Sequence, residues 1–278
     1  MCQSKNDLKF ASLGTPRRIW AIPAIHGCLA PLLEIHDLIY NEFHPGDQLV
    51  YLGNYTGYGP HSAEVIDELL TFRRMILSIP GVFHDDVSYL RGRQEEMFSK
   101  LLQLQFAPEP RKVLEWMLKN GMDATMHSYG IDIDRGMRAS LEGVTGLACW
   151  TKLIRDRVKE FEGHDTFRTH LKRAAFTDMR QGNPLLFVHA GLEPTKALSI
   201  QGDSFWWSTS DFHALERPYM PFKRVIRGYD PDHRGVYVNG VTATIDNGCG
   251  FGGDLAFACI DGQSGKFDVM TGSRPHSA

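Results

Sequence analysis

The sequence lacks a Cys-x-x-Cys pair, a long apolar run and a strong excess of charge of either sign. Its five cysteines are scattered over 278 residues, which argues against a disulfide framework or a zinc cluster and favours a reducing compartment, the cytoplasm. No apolar stretch approaches the ~20 residues of a membrane helix, and residues 1–18 lack the apolar core of a signal peptide. The formal net charge is −3, so we expect no binding to a nucleic-acid duplex or to a membrane.

The first clear pattern joins a strand to a helix. Residues 19–25 form an apolar run of strand length that ends in a tight turn at His26 and Gly27, and apolar residues then recur at helical spacing over residues 28–40. This order is typical of the start of a doubly wound α/β domain, whose ligands bind at the carboxyl ends of strands. We therefore expect chemistry at this turn.

The remaining chain extends the same plan. Residues 61–78 have helical spacing, and a mostly helical block covers about 96–180. No linker rich in Pro, Ser or Gly isolates this block, so we interpret it as an insertion into a single domain over residues 18–278, preceded by a flexible lead-in over residues 1–17. Further strands are predicted over residues 48–52, 87–90, 184–189, 223–227, 241–245, 255–260 and 266–270.

Polar turns follow five of the predicted strands. These turns contain His26, Asn54, the pair Arg93 and Gln94, His189, and the segment 228–230. Because successive strand ends of an α/β fold line one cleft, we expect the five turns to lie together.

In this order, the turns resemble the motifs of the calcineurin-like metallophosphoesterase family, and most of all its bacterial branch of serine/threonine phosphoprotein phosphatases and symmetrical diadenosine tetraphosphatases. Ala-Ile-His-Gly-Cys-Leu (24–29) resembles Asp-x-His-Gly-x-x, and residues 52–60 resemble Gly-Asp-x-x-Asp-Arg-Gly-Pro. Residues 90–95 resemble Leu-Arg-Gly-Asn-His-Glu, residues 187–194 match Phe-Val-His-Ala-Gly-Leu-x-Pro fully, residues 228–231 resemble Gly-His-Thr-Pro, and residues 245–255 resemble the closing Asp-Thr-Gly segment. The resemblance spans residues 19–261 and implies an α/β fold, a four-layer α/β/β/α sandwich with a helical cap insertion.

In active members of this family, two metal ions bind at these turns and activate a hydroxide that attacks a phosphate ester. The resemblance maps seven changed residues onto that site: Ala24 and Asn54 for metal-binding aspartates, Gly57 and Tyr58 for an Asp-Arg pair, Arg93 for a metal-binding asparagine, Gln94 for the catalytic histidine, and Tyr229 for a metal-binding histidine. His26 and His189 are kept, and in the family geometry they serve different metals. The turn glycines are also kept, so we interpret the chain as a maintained fold with a rewritten pocket.

The resemblance therefore implies a pseudo-phosphatase, with no catalytic residue and no metal centre. We expect it to bind a phosphate-bearing small molecule or a phosphoprotein, and we place the ligand-binding site at His26, Asn54, Tyr58, Arg91, Arg93, Gln94, His189 and Tyr229. One alternative is an active serine/threonine phosphoprotein or dinucleotide polyphosphate hydrolase with a reduced or displaced site, which would hold a single weakly bound Mn, Fe or Zn ion. Another is an interaction protein whose pocket binds nothing.

Residue-level alternatives stay open. Arg93 either holds an anion with the help of Arg91 or forms a salt bridge with an acidic neighbour, Glu95, Glu96 or Asp86. His26 and His189 either hold one metal or are histidines bonded to the backbone.

Several other residues are given structural roles. Cys28 and Cys249 are interpreted as structural despite lying on motif turns. Residues 206–207 are either part of a cleft rim or a buried tryptophan pair under the cap, and we favour the buried pair. The histidines His164, His170, His213 and His233 show no metal-ligand spacing.

Overall fold

The computed structural model describes residues 9–179, 182–207, 212 and 215–271. The strands in chain order are β1 (Phe10–Ser12), β2 (Arg18–Ile22), β3 (Gln48–Tyr51), β4 (Val87–Tyr89), β5 (Ala174–Phe176), β6 (Leu185–Val188), β7 (Arg224–Arg227), β8 (Tyr237–Val238), β9 (Thr242–Thr244), β10 (Ala256–Asp261) and β11 (Phe267–Thr271). The helices are α1 (Leu29–Glu42), α2 (Ser62–Leu77), α3 (Arg93–Leu101), α4 (Pro110–Met117), α5 (Asp123–Ser128), α6 (Ile133–Ala139), α7 (Gly143–Lys159), α8 (His164–Thr169) and α9 (Ser204–Trp207).

The strands form two sheets. One has the order β11-β10-β2-β3-β4, in which β2, β3 and β4 are parallel and are joined by α1 and α2. The other has the order β1-β5-β6-β7-β9-β8, in which β6, β7 and β9 are parallel. Parallel neighbours bring their carboxyl ends to the same edge of a sheet, so the loops that follow these strands are close together.

The two sheets pack face to face, which gives the predicted four layers. Alternate side chains of the first sheet, including Ile19, Ala21 and Val50, pack against Phe187 and Ile226 of the second sheet. The intervening side chains of β2 and β3 pack against α1 and α2, and the outer face of the second sheet packs against α9. Each fully buried aliphatic side chain in this core contributes about 1.5–3 kcal/mol to stability.

Helices α3 to α8 form a cap with its own apolar core, in which Met97, Leu114, Met126, Trp150 and Ile154 are buried together. The cap corresponds to the helical insertion predicted from the sequence, but its last helix ends at Thr169. Among the described residues, no helix combines the length and apolar content that crossing a membrane requires.

Besides the two-residue β8, two strands lie where we predicted none. β1 lies inside the predicted lead-in and pairs in parallel with β5, which lies inside the predicted insertion. Each has only three residues, Phe-Ala-Ser and Ala-Ala-Phe, too few to show an alternating pattern in the sequence. The lead-in thus contains a strand of the second sheet, and the helical insertion ends before residue 174.

Candidate functional site

The turns after β2 and β3 hold two residues in a backbone conformation that side chains rarely adopt. His26 has a φ of 54° and Asn54 a φ of 57°, and both residues are buried. The N–H groups of Ile25 and His26 donate to the Asn54 carbonyl oxygen at 2.9 and 2.8 Å. Such strained conformations persist only where the surroundings determine them, so the two turns fix each other.

Glu95, near the start of α3, ties the turns after β3 and β4 together. One carboxylate oxygen accepts the backbone N–H groups of Asn54 and Gly92, and the other accepts that of Tyr55, each at 2.9 Å. Burial raises the pKa of this carboxyl group, and the three N–H bonds oppose the rise. Because all three partners are donors, the arrangement requires the ionised carboxylate. Glu95 therefore supports the frame of the site and is not a salt-bridge partner of Arg93.

Asn54 directs an amide NH₂ group at His26. Its Oδ1 accepts the backbone N–H of Gln94 at 2.9 Å, which leaves Nδ2 3.3 Å from the Nε2 atom of His26. An amide nitrogen can only donate, so Nε2 accepts this bond and the ring proton is on Nδ1. The lone pair of His26 that faces Asn54 is therefore already occupied.

His189, which follows β6, is held by a backbone carbonyl. Its Nδ1–H donates to the Leu52 oxygen at 2.6 Å, so the lone pair is on Nε2. The ring stacks on Tyr229, with centroids 5.2 Å apart and an interplanar angle of 7°. Of the two alternatives proposed for the histidines, His189 therefore fits the one in which the ring is bonded to the backbone. Its second ring nitrogen, Nε2, takes no part in that bond.

Both histidines are uncharged near neutral pH. Burial is the main reason that the pKa of His26 and the pKa of His189 are each lowered to about 3. Positive charge on His189 or His233 would lower the pKa of His26 further, and Arg93 lowers the pKa of both residues. Two neutral rings thus lie at the floor of the site.

We expect this burial to make folding sensitive to acid. The unfolded chain protonates these histidines near pH 6.5 and the folded chain only near pH 3, so stability falls as pH drops between those values. Each histidine contributes about 1.4 kcal/mol per pH unit in that window. His189→Asn keeps a hydrogen-bond donor for the Leu52 oxygen and removes one of the two titrating rings. The slope of unfolding free energy against pH, measured by urea unfolding at pH 5, 6 and 7, should therefore fall by up to about 1.4 kcal/mol per pH unit. An unchanged slope would mean that His189 is not buried in its neutral form.

Arg93 is the first residue of α3, and its side chain contacts Tyr229. Its Nη1 donates to the Tyr229 hydroxyl at 3.3 Å and its Nη2 to Asn120 Oδ1 at 2.8 Å. The guanidinium carbon is 5.8 Å from the ring centroid of Trp116 and 5.2 Å from that of Trp207. Within the described part of the chain, no carboxylate forms an ion pair with Arg93. The salt-bridge alternative is therefore wrong.

The acidic neighbours of Arg93 have other partners. Glu96 pairs with Arg91 at 3.1 Å and with Lys100 at 3.6 Å, and Asp86 accepts from Gln48. The guanidinium of Arg91 is thus held by a carboxylate. Arg91 remains a predicted ligand-binding residue, with less charge to offer than Arg93.

Buried polar atoms without partners are concentrated at this site. In the described residues, nine buried side-chain nitrogen or oxygen atoms have no hydrogen-bond partner, and four of them belong to adjacent predicted site residues: His26 Nδ1, Arg93 Nε, Gln94 Oε1 and His189 Nε2. Each such atom costs about 1–3 kcal/mol unless water or a ligand satisfies it. The concentration indicates a place where a polar ligand or ordered water binds.

Aromatic rings cover His26 on the solvent side. The ring centroids of Tyr58 and Phe251 lie 5.3 and 5.2 Å from that of His26, and 4.3 Å from each other. The ring centroid of His233 lies 3.9 Å from that of Phe251. Burial raises the pKa of the hydroxyl groups of Tyr58 and Tyr229, so both stay protonated near neutral pH and can donate.

An apolar cavity of about 470 Å³ lies between the cap and α9. Arg93 does not line it, but Trp116 and Trp207, which contact the Arg93 guanidinium, form part of its wall. Met97, Val113 and Met117 are among the side chains that complete it. The two tryptophans therefore lie between the positive charge of the site and a neighbouring apolar space.

The residues present do not fit a two-metal centre. The amide of Asn54 directs protons, and not a lone pair, at His26, and the guanidinium of Arg93 adds positive charge. In the described residues, no three His, Cys, Asp or Glu side chains are grouped so that they could hold a metal ion. A catalytic centre normally has three protein ligands for each metal.

The structure brings seven of the eight predicted residues together, and it adds residues that we did not assign to the site. Asn120 lies in the turn Leu118–Met122 of the cap, and its backbone oxygen also accepts from Gln94 at 2.8 Å. Trp207 reaches the site, whereas Trp206 is buried as predicted for the pair. His233, which we treated as scattered, borders the site, and its position just after the motif at residues 228–231 was a usable signal. His213 lies outside the described residues.

Comparisons with known proteins establish the fold of this chain. No protein-family model matches the sequence, and no curated protein matches it. Among solved structures, one described as a diadenosine tetraphosphatase is 17% identical, with a TM-score of 0.53 over 96% of this chain and 99% of the other. A cold-active protein-tyrosine phosphatase of a Shewanella species is 11% identical, with a TM-score of 0.52 over 96% and 84%.

A serine/threonine phosphatase from Saccharomyces cerevisiae is 14% identical, with a TM-score of 0.50 over 98% of this chain and 88% of the other. Structural matches at sequence identities this low establish the architecture but not the activity. Together with the two packed sheets and the strand-end turns, they show that the chain has the fold of the calcineurin-like metallophosphoesterases.

Proposed function

We propose that the protein is a pseudo-phosphatase, a phosphoesterase fold whose cleft binds a phosphorylated ligand without hydrolysing it. The observation that carries this proposal is the group of four unpartnered buried polar atoms around Arg93, a cation with no carboxylate partner in the described part of the chain. A partly buried, uncompensated charge is costly, and an anion would offset that cost.

The donors around Arg93 suit a phosphate group. The Tyr229 hydroxyl accepts from Arg93 and retains its own proton to donate, and Arg93 Nε–H has no hydrogen-bond partner among the described residues. Guanidinium groups bind phosphate oxygens in pairs, and bonds between charged partners are about twice as strong as neutral ones. These groups together offer a charged, directional site for one phosphate.

The apolar cavity next to Trp116 and Trp207 favours ligands that carry an aromatic or aliphatic group near the phosphate. Its walls consist of five aliphatic and three aromatic side chains, with Lys100 and Gln103. Apolar surface buried there would add about 25 cal/mol per Å² to binding. Phenyl phosphate, which has both parts, is therefore a suitable probe, and a phosphorylated side chain of a protein is the corresponding macromolecular ligand.

One observation favours the second candidate, a phosphoesterase with a reduced metal site. His189 Nε2 is buried, carries a lone pair and has no partner in the described residues. A metal ion bound there would need further ligands from water or substrate, because His26 is occupied by Asn54. We rank this candidate below the first for that reason.

Calorimetry of the metal-stripped protein separates the candidates. We expect phenyl phosphate to bind without metal, manganese to give no stoichiometric binding, and para-nitrophenyl phosphate with manganese to be hydrolysed no faster than in buffer. Manganese binding that disappears in His189→Asn, together with hydrolysis, would establish the second candidate instead. If neither phenyl phosphate nor manganese binds, the pocket has neither function and the interaction-protein alternative stands.

A further inference from the structure

Cys28 and Cys249 approach the same backbone oxygen from two different loops. The Cys28 N–H donates to the Ile25 oxygen at 3.1 Å, and the Cys249 thiol donates to that oxygen at 3.3 Å. Because the Cys28 nitrogen and the Cys249 sulfur both lie within 3.3 Å of one oxygen, they cannot be farther apart than twice that distance. The sulfur of Cys249 is therefore close to the backbone of Cys28, although 220 other residues separate the two in sequence.

Both side chains also line one cavity of about 360 Å³, between the start of α1 and the loop before β10. Cys28 is partly exposed and Cys249 is 2% exposed. A small oxidant can therefore reach Cys28 first and meet Cys249 behind it. A disulfide needs Cα atoms about 4.4–6.8 Å apart, a range that two residues sharing one carbonyl partner can satisfy.

The backbone around Cys249 can adjust. Gly248 and Gly250 flank it with φ of 77° and 86°, in the left-handed region that glycine adopts without strain. The neighbouring turn holds Cys28 at the N-cap of α1.

We infer that Cys28 and Cys249 form a reversible disulfide when the protein meets a peroxide. Cys28, as thiolate, attacks one oxygen of hydrogen peroxide, which breaks the O–O bond and leaves a sulfenic acid and, after protonation, one water. The Cys249 thiol then attacks that sulfur, an S–S bond forms, and the hydroxyl leaves as a second water. In total, two thiols lose two protons and two electrons, and one peroxide takes them up and becomes two water molecules.

The bond would join the loop that carries Phe251 to the turn that carries His26. Phe251 packs on His26 and Tyr58, and a side chain built at Gly250 would lie 2.6 Å from the Cβ of His26. Oxidation therefore fixes the aromatic cover over the site described above. The disulfide itself depends only on the two cysteines and does not require that the pocket bind phosphate.

The test uses the full chain with Cys2, Cys149 and Cys259 replaced by serine, so that only the pair remains. After hydrogen peroxide, we expect the intact mass to fall by two hydrogens, both thiols to resist alkylation, and a proteolytic peptide containing both cysteines to appear. Dithiothreitol should reverse all three changes. The matched control is the opposite variant, Cys28→Ser with Cys249→Ser, which should show no intramolecular disulfide.

Two results would overturn the inference. One is that both thiols of the pair stay open to alkylation after peroxide; the other is that Cys28 accumulates as sulfinic acid with Cys249 unchanged. If the triple serine variant does not fold, peptide mapping of the oxidised wild-type chain decides the same question, because it identifies which cysteines are joined. A disulfide between any other pair counts against the inference.

Discussion

Arg93→Gln is expected to weaken phenyl phosphate binding by about 10- to 100-fold, since a hydrogen bond to a charged group contributes about 1.5–3 kcal/mol. Glutamine keeps a polar side chain of intermediate length and removes the positive charge. It also removes the planar set of donors that contacts Tyr229 and Asn120. Calorimetric titration of the metal-free variant at low ionic strength measures the change, and Arg93→Lys should recover only part of the affinity because it cannot bind in a bidentate manner.

Arg91→Gln is the matched control for this substitution. Arg91 is two residues away and carries the same charge, but its guanidinium is paired with Glu96 at 3.1 Å. We expect its loss to change binding by less than about threefold, within the weak effect of exposed charges at moderate salt. Equal losses at the two positions would indicate that a general positive field attracts the ligand. No loss at Arg93 would remove the anion site and with it the proposed function.

Glu95→Gln is expected to destabilise the fold by about 2–4 kcal/mol, the largest effect on stability that we predict for one near-isosteric change. The carboxylate accepts three buried N–H groups with two oxygens. Glutamine keeps one oxygen and directs an NH₂ group at the donors that the other oxygen served. At least one buried N–H group of the strained turns then loses its acceptor, and urea unfolding followed by tryptophan fluorescence measures the loss.

Glu115→Gln serves as the control, because this exposed carboxylate of the cap makes an ion pair with Arg111 on the surface of α4. We expect it to cost about 1 kcal/mol or less. If Glu95→Gln and Glu115→Gln destabilise the protein equally, Glu95 does not have the clamping role assigned here. Loss of stability without any loss of phenyl phosphate binding in the folded Glu95→Gln protein would also separate the frame from the ligand site.

The parts of the fold that the sequence revealed are those with strong periodicity and special turns. Strands β2 and β3 are short apolar runs that end at turn residues, and glycines such as Gly53 and Gly92 leave no room for a Cβ because backbone atoms lie 2.6 and 2.2 Å from its position. Motifs of this kind indicate where their residues lie in the fold, because each turn follows the end of a particular strand. Their order therefore predicted which residues meet.

The parts that stayed hidden depend on contacts between distant segments. Nothing in the local sequence of Asn120 indicates that it accepts from both Arg93 and Gln94, since the cap must first fold over the strand ends. The same holds for Trp207 beside Arg93. Amide orientation is a third example, because the backbone N–H of Gln94 decides which atom of Asn54 faces His26.

The orientation of that amide also has a consequence for redesign of the site. Asn54→Asp alone would direct a carboxylate at the lone pair of an uncharged ring, with too few ligands to hold a cation. Ala24→Asp alone would bury a carboxylate against Ala190 and Tyr229. Each change toward a metal centre is unfavourable until the others are present, so the effects of these substitutions are not additive. Building a metal centre into this cleft therefore requires several simultaneous changes.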